Sequence, residues 1–358
     1  MTKTYEELVQ FSQKIFEAVG FSAADASAAA LALVAADLRG IDSHGVARLS
    51  GYVRLCKVGR LNAQAQPKIV AETPSTATLD ADMGAGLLAA TQAMQIAIEK
   101  AKNVGVGFVA VCNSNHFGIA AYHAMQAAQE DMIGIAFTNA SPLVAPTGSH
   151  EKLLGTNPMC YVFPCRKYPD LVFDMATSAA ANGKLQIAER LQKPLPQGWA
   201  ITKDGAPTTD AGVLKKGGAL LPLGSTTDLG SHKGYGLAAV VDLFSGVLSG
   251  ANFAGWVPPF VPFLGVQPHL PGKGIGHFLG AMRVDAFRSK HSYYEAINLW
   301  IERFKSAVPS DPSQPVLVHG EIEHNHEQHR KANGIQLEQA VIDDLMALGA
   351  EYNIDFLG

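Results

Sequence analysis

Strand-like and helix-like periods alternate between residues 76 and 138, and no other feature of the chain limits its fold as tightly. Three short runs rich in β-branched residues (76–79, 107–111 and 133–138) are separated by two alanine-rich stretches (88–102 and 119–129). A period of two giving way to one of 3.6 predicts strands with helices laid against them, because neither element buries its apolar side alone. Before residue 67 the pattern is helical: Thr4 with Glu7 and Ser22 with Asp25 form two helix-start signatures, and Gly40 supplies a stop. From 152 to 218 the strand-like runs 159–163 and 171–174, a helix near Lys184, and an Asp204-Gly205 turn within 199–208 follow without regular crossovers. That arrangement predicts a mixed, largely antiparallel sheet. The expected class is α/β of the α+β type, with a helical lobe and a sheet lobe. At 358 residues two lobes around a cleft are favoured over one growing core. The helical lobe is expected over 1–72, joined by C-terminal helices in 303–358, and the sheet lobe over 73–302. Residues 256–271 read as a proline-rich loop, and 337–352 as an amphipathic helix returning to the N-terminal helices.

Composition narrows the function classes. A net charge of −4 carries no basic field for nucleic acid or an anionic membrane, so neither is an expected partner. Hydrophobic residues at 47% against 17% charged permit a large core. Cys56, Cys112, Cys160 and Cys165 have no C-x-x-C spacing and read as free thiols in a reducing compartment. The acidic start 4–8 is no signal peptide, and the longest apolar stretch, 236–247, is well short of the roughly 20 residues that span a bilayer. It reads as a buried helix, and the chain as cytoplasmic.

One motif invites a dinucleotide reading. Gly84-Ala85-Gly86-Leu87-Leu88-Ala89 follows a strand-like run and opens a helix, as in a Rossmann fingerprint. That fold also needs an acidic residue about 20 positions on, at the end of the next strand. Here the strand ends in Asn113-Ser114-Asn115-His116. The glycines are better read as a turn that lets strand and helix pack closely.

Other constellations can carry chemistry. In 42–52 His44, Arg48 and Tyr52 fall four apart, which on a helix puts them on one face behind a capping Asp42-Ser43. A guanidinium, an imidazole and a phenol aligned in this way can hold a carboxylate and bond a neighbouring hydroxyl; the plainer alternative is a structural arginine. His116 stands at a strand's carboxyl end, where α/β clefts form and where an imidazole can exchange a proton, although an ordinary hydrogen-bonded histidine would sit there too. Pro146-Thr147-Gly148 and Gly155-Thr156-Asn157-Pro158 are turns that either offer amides to an anion or ribose, or are simple loops. Gly230-Ser231-His232-Lys233-Gly234-Tyr235-Gly236 runs into an apolar helix, suited to a pyrophosphate or merely flexible, and lacks P-loop spacing. Residues 321–329 are rich in His and Glu, but no distant ligands converge on them, so a solvated surface is preferred and no metal is expected.

Taken in order, five segments carry a resemblance. Asp37-Leu38-Arg39-Gly40-Ile41-Asp42-Ser43-His44-Gly45, Ser114-Asn115-His116-Phe117-Gly118, Gly155-Thr156-Asn157-Pro158, Phe173-Asp174-Met175-Ala176-Thr177-Ser178 and His232-Lys233-Gly234-Tyr235-Gly236 resemble the malate/L-lactate dehydrogenase type 2 family over nearly the whole chain. That family is distinct from the Rossmann lactate dehydrogenases. It includes malate, lactate, sulfolactate and ureidoglycolate dehydrogenases and reductases of diketogulonate and cyclic imino acids. The resemblance implies a non-Rossmann nicotinamide-binding sheet, a homodimer, and a small carboxylate substrate.

Position by position, it implies His116 or His44 as the proton-exchanging residue, with Ser43, Arg48 and Tyr52 holding substrate. It implies cofactor contacts from Asp174, Met175 and Ala176, from His232 and Lys233, and from Gly320 and Glu321. Where the family has Pro-Gly-Glu this chain reads His319-Gly320-Glu321, and after Gly148 it has Ser149 where the family has a second glycine. The expected activity is NAD(P)-dependent interconversion of a 2-hydroxy and a 2-oxo acid, malate/oxaloacetate or lactate/pyruvate, with NAD favoured over NADP. Arg48 pairs with the carboxylate while His116 takes the hydroxyl proton. Reduction of a diketo-sugar acid or cyclic imine, and a noncatalytic anion-binding module, are the alternatives.

Overall fold

The computed structural model describes residues 1–356. The first half runs β1 (Thr2–Lys3), α1 (Tyr5–Ala18), α2 (Ala23–Leu38), α3 (Leu49–Lys57), β2 (Lys68–Glu72), β3 (Thr76–Asp80), α4 (Gly86–Val104), β4 (Val106–Ser114), α5 (Ala120–Ala128), β5 (Met132–Thr138), β6 (Met159–Phe163) and β7 (Leu171–Met175). It continues through α6 (Asn182–Arg190), β8 (Ala200–Ile201), β9 (Pro207–Thr208), β10 (Ala219–Leu220), α7 (Ser231–Asp242), β11 (Ile275–Arg283), α8 (Lys290–Lys305), α9 (Glu321–Asn333), β12 (Ile335–Gln336) and α10 (Gln339–Tyr352).

Both N-terminal helices start where their caps require. Thr4 Oγ1 accepts from the Glu7 amide at 3.1 Å while Glu7 accepts from the Thr4 amide at 2.7 Å, and Ser22 caps α2 through the Asp25 amide at 3.1 Å. α1, α2 and α3 bury Leu8, Ile15, Phe16, Leu33 and Leu49 in one apolar cluster, which α10 closes with Ile342, Leu345 and Leu348. The chain's end therefore does return to its beginning, and β1 pairs with β12.

Seven strands form the main sheet in the order β2-β3-β4-β11-β5-β6-β7, and β3–β4 is its one parallel pair. The mixed, largely antiparallel sheet expected from the sequence is thus present. It takes in β2, a strand that a boundary at residue 72 leaves with the helices. α4 and α5 cover one face, against Val109, Val111, Ala136, Val162 and Leu279. Their alanines allow near contact: a Cβ at Gly107 or Gly134 would lie 2.0 Å from the Ala97 or Ala124 carbonyl oxygen. Gly86 works in the same way at the start of α4, where a Cβ would meet the Asn115 carbonyl oxygen at 2.1 Å. The 84–89 motif is a packing turn.

α7 crosses the other face and packs Val241 and Leu237 on Ala110, Phe137 and Phe278. The sequence reading of 236–247 as buried is only half right. α7 continues into a π-helical turn, Leu243–Val247, and Val240, Leu243 and Val247 are 41%, 56% and 50% exposed. A helix apolar on every side can turn only one side to a sheet. A small sheet, β10-β8-β9, carries the expected Asp204-Gly205 hairpin, and α8 packs Tyr294, Ile297 and Ile301 beside Leu171 at the β7 edge.

Candidate active site

At one edge of the main sheet the last residues of β4 and β5 meet the first residues of β11, with Ser114 opposite Ile275 and Thr138 opposite His277. The chain leaves β4 through Asn115, whose side-chain amide donates to the Met83 carbonyl at 2.8 Å and fixes the turn. His116 is delivered to a cavity of about 100 Å³, which it lines together with His44, Arg48, Asn139, Asn182 and Phe260.

His116 is braced on three sides. Its Nδ1 lies 2.7 Å from the Tyr52 hydroxyl and 3.3 Å from the Gly118 amide. Its ring stacks on Phe260 at 4.5 Å and faces His44 at 5.8 Å. Nε2 has no protein hydrogen bond among the described residues. Burial, and then the charges of His44 and Arg48, hold its pKa well below the usual histidine range, so the ring is neutral at physiological pH. His44 is pushed down to about 4 by burial and by Arg48, and its Nδ1 is 2.8 Å from Ser43 Oγ. Arg48 donates from Nε to the Ser43 carbonyl at 2.5 Å and from Nη2 to Gln186 at 3.2 Å, which leaves Nη1 without a hydrogen-bond partner among the described residues.

The helical face expected for His44, Arg48 and Tyr52 does not form. Residues 42–45 are a turn, Val46–Arg48 is a 3-10 turn, and α3 begins only at Leu49. The cause is Asp37, whose carboxylate accepts from the Val46 amide at 2.8 Å and pins the loop to α2. Ser43, His44 and Arg48 still converge, through that loop. Tyr52 is buried against His116 and does not line the cavity.

The residues matched to the cofactor separate into groups. Asp174, Met175 and Gly320 line a second cavity of about 270 Å³ between β7 and α9, where His319 stacks on Phe173 at 4.4 Å. Asp174 Oδ2 accepts from the Ala121 amide at 2.8 Å, and burial pushes its pKa up to about 6; Oδ1 has no hydrogen-bond partner among the described residues. Glu321 instead accepts from the Val318 amide at 3.2 Å and pairs with Lys305; neither Glu321 nor Ala176 lines this cavity. His232 and Lys233 are exposed at the start of α7 and line neither cavity. Beside them Thr147, Gly148 and Ser149 meet Ser231 around a third cavity of about 640 Å³.

Sequence reasoning missed Phe260, Gln186 and Asn182. Only a chain-wide fold brings the proline-rich loop and α6 over the histidines. The aromatic residues of 256–271 were the one visible hint.

The chain is similar to known proteins over nearly its whole length. A malate dehydrogenase of Pyrococcus horikoshii is 38% identical over 353 residues, covering 98% of this chain and 96% of its own. An L-sulfolactate dehydrogenase of Methanocaldococcus jannaschii is 36% identical, with 95% of this chain and 94% of its own covered. The crystal structure of malate dehydrogenase from Entamoeba histolytica matches 99% of each chain, with a TM-score of 0.91 at 33% identity. The class follows: this chain is a dehydrogenase acting on the CH–OH group of a small 2-hydroxy acid, and such enzymes work with a nicotinamide cofactor. It belongs to the malate/L-lactate dehydrogenase family, whose model matches residues 4–346. Among the described residues no helix is long and apolar enough to cross a membrane.

Asp37 makes the loop geometry testable. Its carboxyl fills the space beside Gly45, where a Cβ would lie 2.0 Å from it, and burial pushes its pKa up to about 8. The folded chain then keeps a proton that the unfolded chain releases near pH 4, so this contribution to stability is full below about pH 4 and is lost as pH rises toward 8. Asp37→Asn keeps an acceptor for Val46 without titrating, and its melting temperature is expected to decline less than the parent's between pH 4 and 8. Asp37→Ala, which loses the cap, should cost about 1–3 kcal/mol. Identical pH slopes for the parent and the Asn variant in thermal melts would contradict this account.

Proposed function

We propose that the chain interconverts malate and oxaloacetate with NAD as the preferred cofactor, His116 exchanging the hydroxyl proton and Arg48 holding the C1 carboxylate. The observation that carries this reading is the unpartnered pair, His116 Nε2 and Arg48 Nη1, on the walls of one cavity of about 100 Å³. That volume lies far below the roughly 300–1,000 Å³ of drug-sized sites and favours a three- or four-carbon acid over a six-carbon sugar acid. Lactate and pyruvate would fit as well. A second anionic group is supported by the start of α6, whose Asn182 and Gly183 amides have no side-chain cap, and by relatives named for malate and sulfolactate.

When bound, the nicotinamide accepts or supplies the hydride at C2. In oxidation the neutral His116 ring acts from the tautomer with its proton on Nδ1, directed at the Tyr52 hydroxyl 2.7 Å away, which requires the long 3.3 Å bond that the Gly118 amide donates to Nδ1 to be given up; the Tyr52 hydroxyl then donates to the His116 carbonyl at 3.3 Å. The Nε2 lone pair is then free to take the substrate's hydroxyl proton; in reduction the protonated ring returns it. Such assistance contributes about 10² to 10⁴ in rate. Phe260 shields the ring from water. His44 hydrogen-bonds the substrate's oxygens, Ser43, which does not line the cavity, acts through its 2.8 Å bond to His44, and Tyr52 acts through His116.

For the cofactor, the β7–α9 cavity offers a hydrogen-bond acceptor and a stacking surface. Asp174 Oδ1 suits a ribose diol, and the Phe173–His319 stack with Met175 and Ile322 suits a flat base. Asp174 and Glu323 on its wall oppose a ribose 2′-phosphate, and Arg39, the cation on the same wall, is paired with Glu327 at 3.1 Å, which together favour NAD over NADP. The exposed apolar side of α7, with Leu243 and Val247, is the face we assign to a homodimer, and the four unpaired cysteines fit a cytoplasmic setting.

Three measurements test these readings. NADH oxidation against oxaloacetate, pyruvate, diketogulonate and a cyclic imino acid should be fastest with oxaloacetate. His116→Ala should then lower kcat by about 10² or more with little change in KM, and Arg48→Ala should chiefly raise KM. An unchanged kcat in the first variant moves the role to His44. NADH should bind more tightly than NADPH by fluorescence titration, with the gap narrowed in Asp174→Ser; a preference for NADPH overturns the cofactor assignment. Light scattering should give a dimer, and Leu243→Glu a monomer; a Leu243→Glu dimer removes α7 from the interface.

A further inference from the structure

A third histidine, absent from the sequence reading and from the mechanism, lies close enough to His116 for its charge to bear on it. His277 is fully buried on β11, the central strand, among Ile275, Phe278, Leu279 and Ala281. An imidazole in such surroundings is costly unless both nitrogens are satisfied, and here both are. Nδ1 is 2.7 Å from Thr138 Oγ1 at the end of β5, and Nε2 is 2.8 Å from Ser114 Oγ at the end of β4. The ring also stacks on Phe117 at 4.9 Å with an interplanar angle of 15°.

The neighbours settle where the protons lie. Thr138 Oγ1 has two carbonyl acceptors, Asn139 at 2.9 Å and Gly276 at 3.0 Å, so its proton goes to one of them and its oxygen accepts from Nδ1–H. Ser114 then donates to Nε2. This leaves His277 neutral and fully used, in keeping with burial pushing its pKa down to about 3. No bond in the set reaches the His116 ring, so His277 does not relay its proton.

We infer that His277 is a positioning residue for the reaction: it grips the chain on both sides of His116, at Ser114 by a hydrogen bond and at Phe117 by stacking, and ties that turn to Thr138 on the substrate cavity's wall. The inference rests on His116 being the proton-exchanging group. Without the grip the side-chain link between Ser114 and Thr138 is gone; backbone pairing and the bonds of Thr138 and Asn139 to Gly276 still tie the strand ends, and Tyr52 and Phe260 still touch the ring, but the imidazole's placement relative to Thr138 is no longer fixed from beneath. Proton transfer depends steeply on such placement, whereas substrate and cofactor contacts from Arg48 and Asp174 do not pass through His277.

His277→Phe keeps the stack and removes both bonds. In the full-length enzyme, kcat for oxaloacetate reduction by NADH should fall by about tenfold or more, while KM and the NADH dissociation constant stay within about threefold. In protein labelled with ¹⁵N-histidine, the His116 ring nitrogens, identified by their loss in His116→Asn, should shift from one tautomer to a mixture. Ser114→Ala, which removes one arm, should move both readouts in the same direction by less, and it carries the test if the Phe variant does not fold. An unchanged kcat, or equal changes in kcat and KM, or an unaltered His116 ring signal in a folded variant overturns the inference. If the parent itself turns over none of the acids, the functional reading fails, and the ring signal alone still decides whether His277 positions His116.

Discussion

Everything at the site depends on β11 being inserted between β4 and β5. Those two strands run in the same direction and cannot be joined by a hairpin, so a strand from far along the chain fills the gap and pairs antiparallel on both sides. The insertion brings both carboxyl ends to one edge of the sheet and gives His116 and Thr138 a common floor. A cavity between strand ends is the usual result when the connections of a sheet diverge, and here the helical loop of Ser43, His44 and Arg48 closes it from above.

The second determinant is burial of ionisable groups. His44, His116 and His277 all have depressed pKa values, and Asp37 and Asp174 raised ones, with burial the first cause in each case. Each group is nevertheless hydrogen-bonded, so the cost of desolvation is partly offset; the three histidines and Asp37 stay neutral near pH 7, while Asp174, at about 6, is largely ionised. For a dehydrogenase this is useful: a neutral imidazole can accept a proton, and a mostly uncharged pocket leaves Arg48 as the dominant charge a carboxylate meets. His116 and His44 differ less in electrostatics than in bracing, since Tyr52 and Phe260 hold the first while a single serine holds the second.

The cofactor-side residues show how a family resemblance and a fold divide the evidence. Asp174, Met175 and Gly320 come together around one cavity although more than half the α/β region separates them in sequence, because β7 lies beside the turn that opens α9. His232 and Lys233 lie elsewhere, on an exposed helix start whose apolar side has no cover within the chain. His319 stacks on Phe173 at 4.4 Å and gives that cavity a flat surface.

The sequence alone determined the local elements. Capped helices, alternating strands, the alanine and glycine positions that allow close packing, and His116 at a strand's end are all encoded within a dozen residues, as periodicity and caps are local properties. The segment with Ser43, His44 and Arg48 stood out for the same reason, although the helical face expected of His44, Arg48 and Tyr52 does not form, because Asp37 at the end of α2 accepts from the Val46 amide and breaks the register. What only the tertiary structure decided were contacts between segments with no sequence relation: Phe260 over His116, Gln186 on Arg48, Tyr52 behind rather than inside the cavity, and His277 bridging Ser114 and Thr138. Such contacts follow from the order in which strands pair, and strand order is a global outcome of which apolar faces cover one another, which no local spacing records.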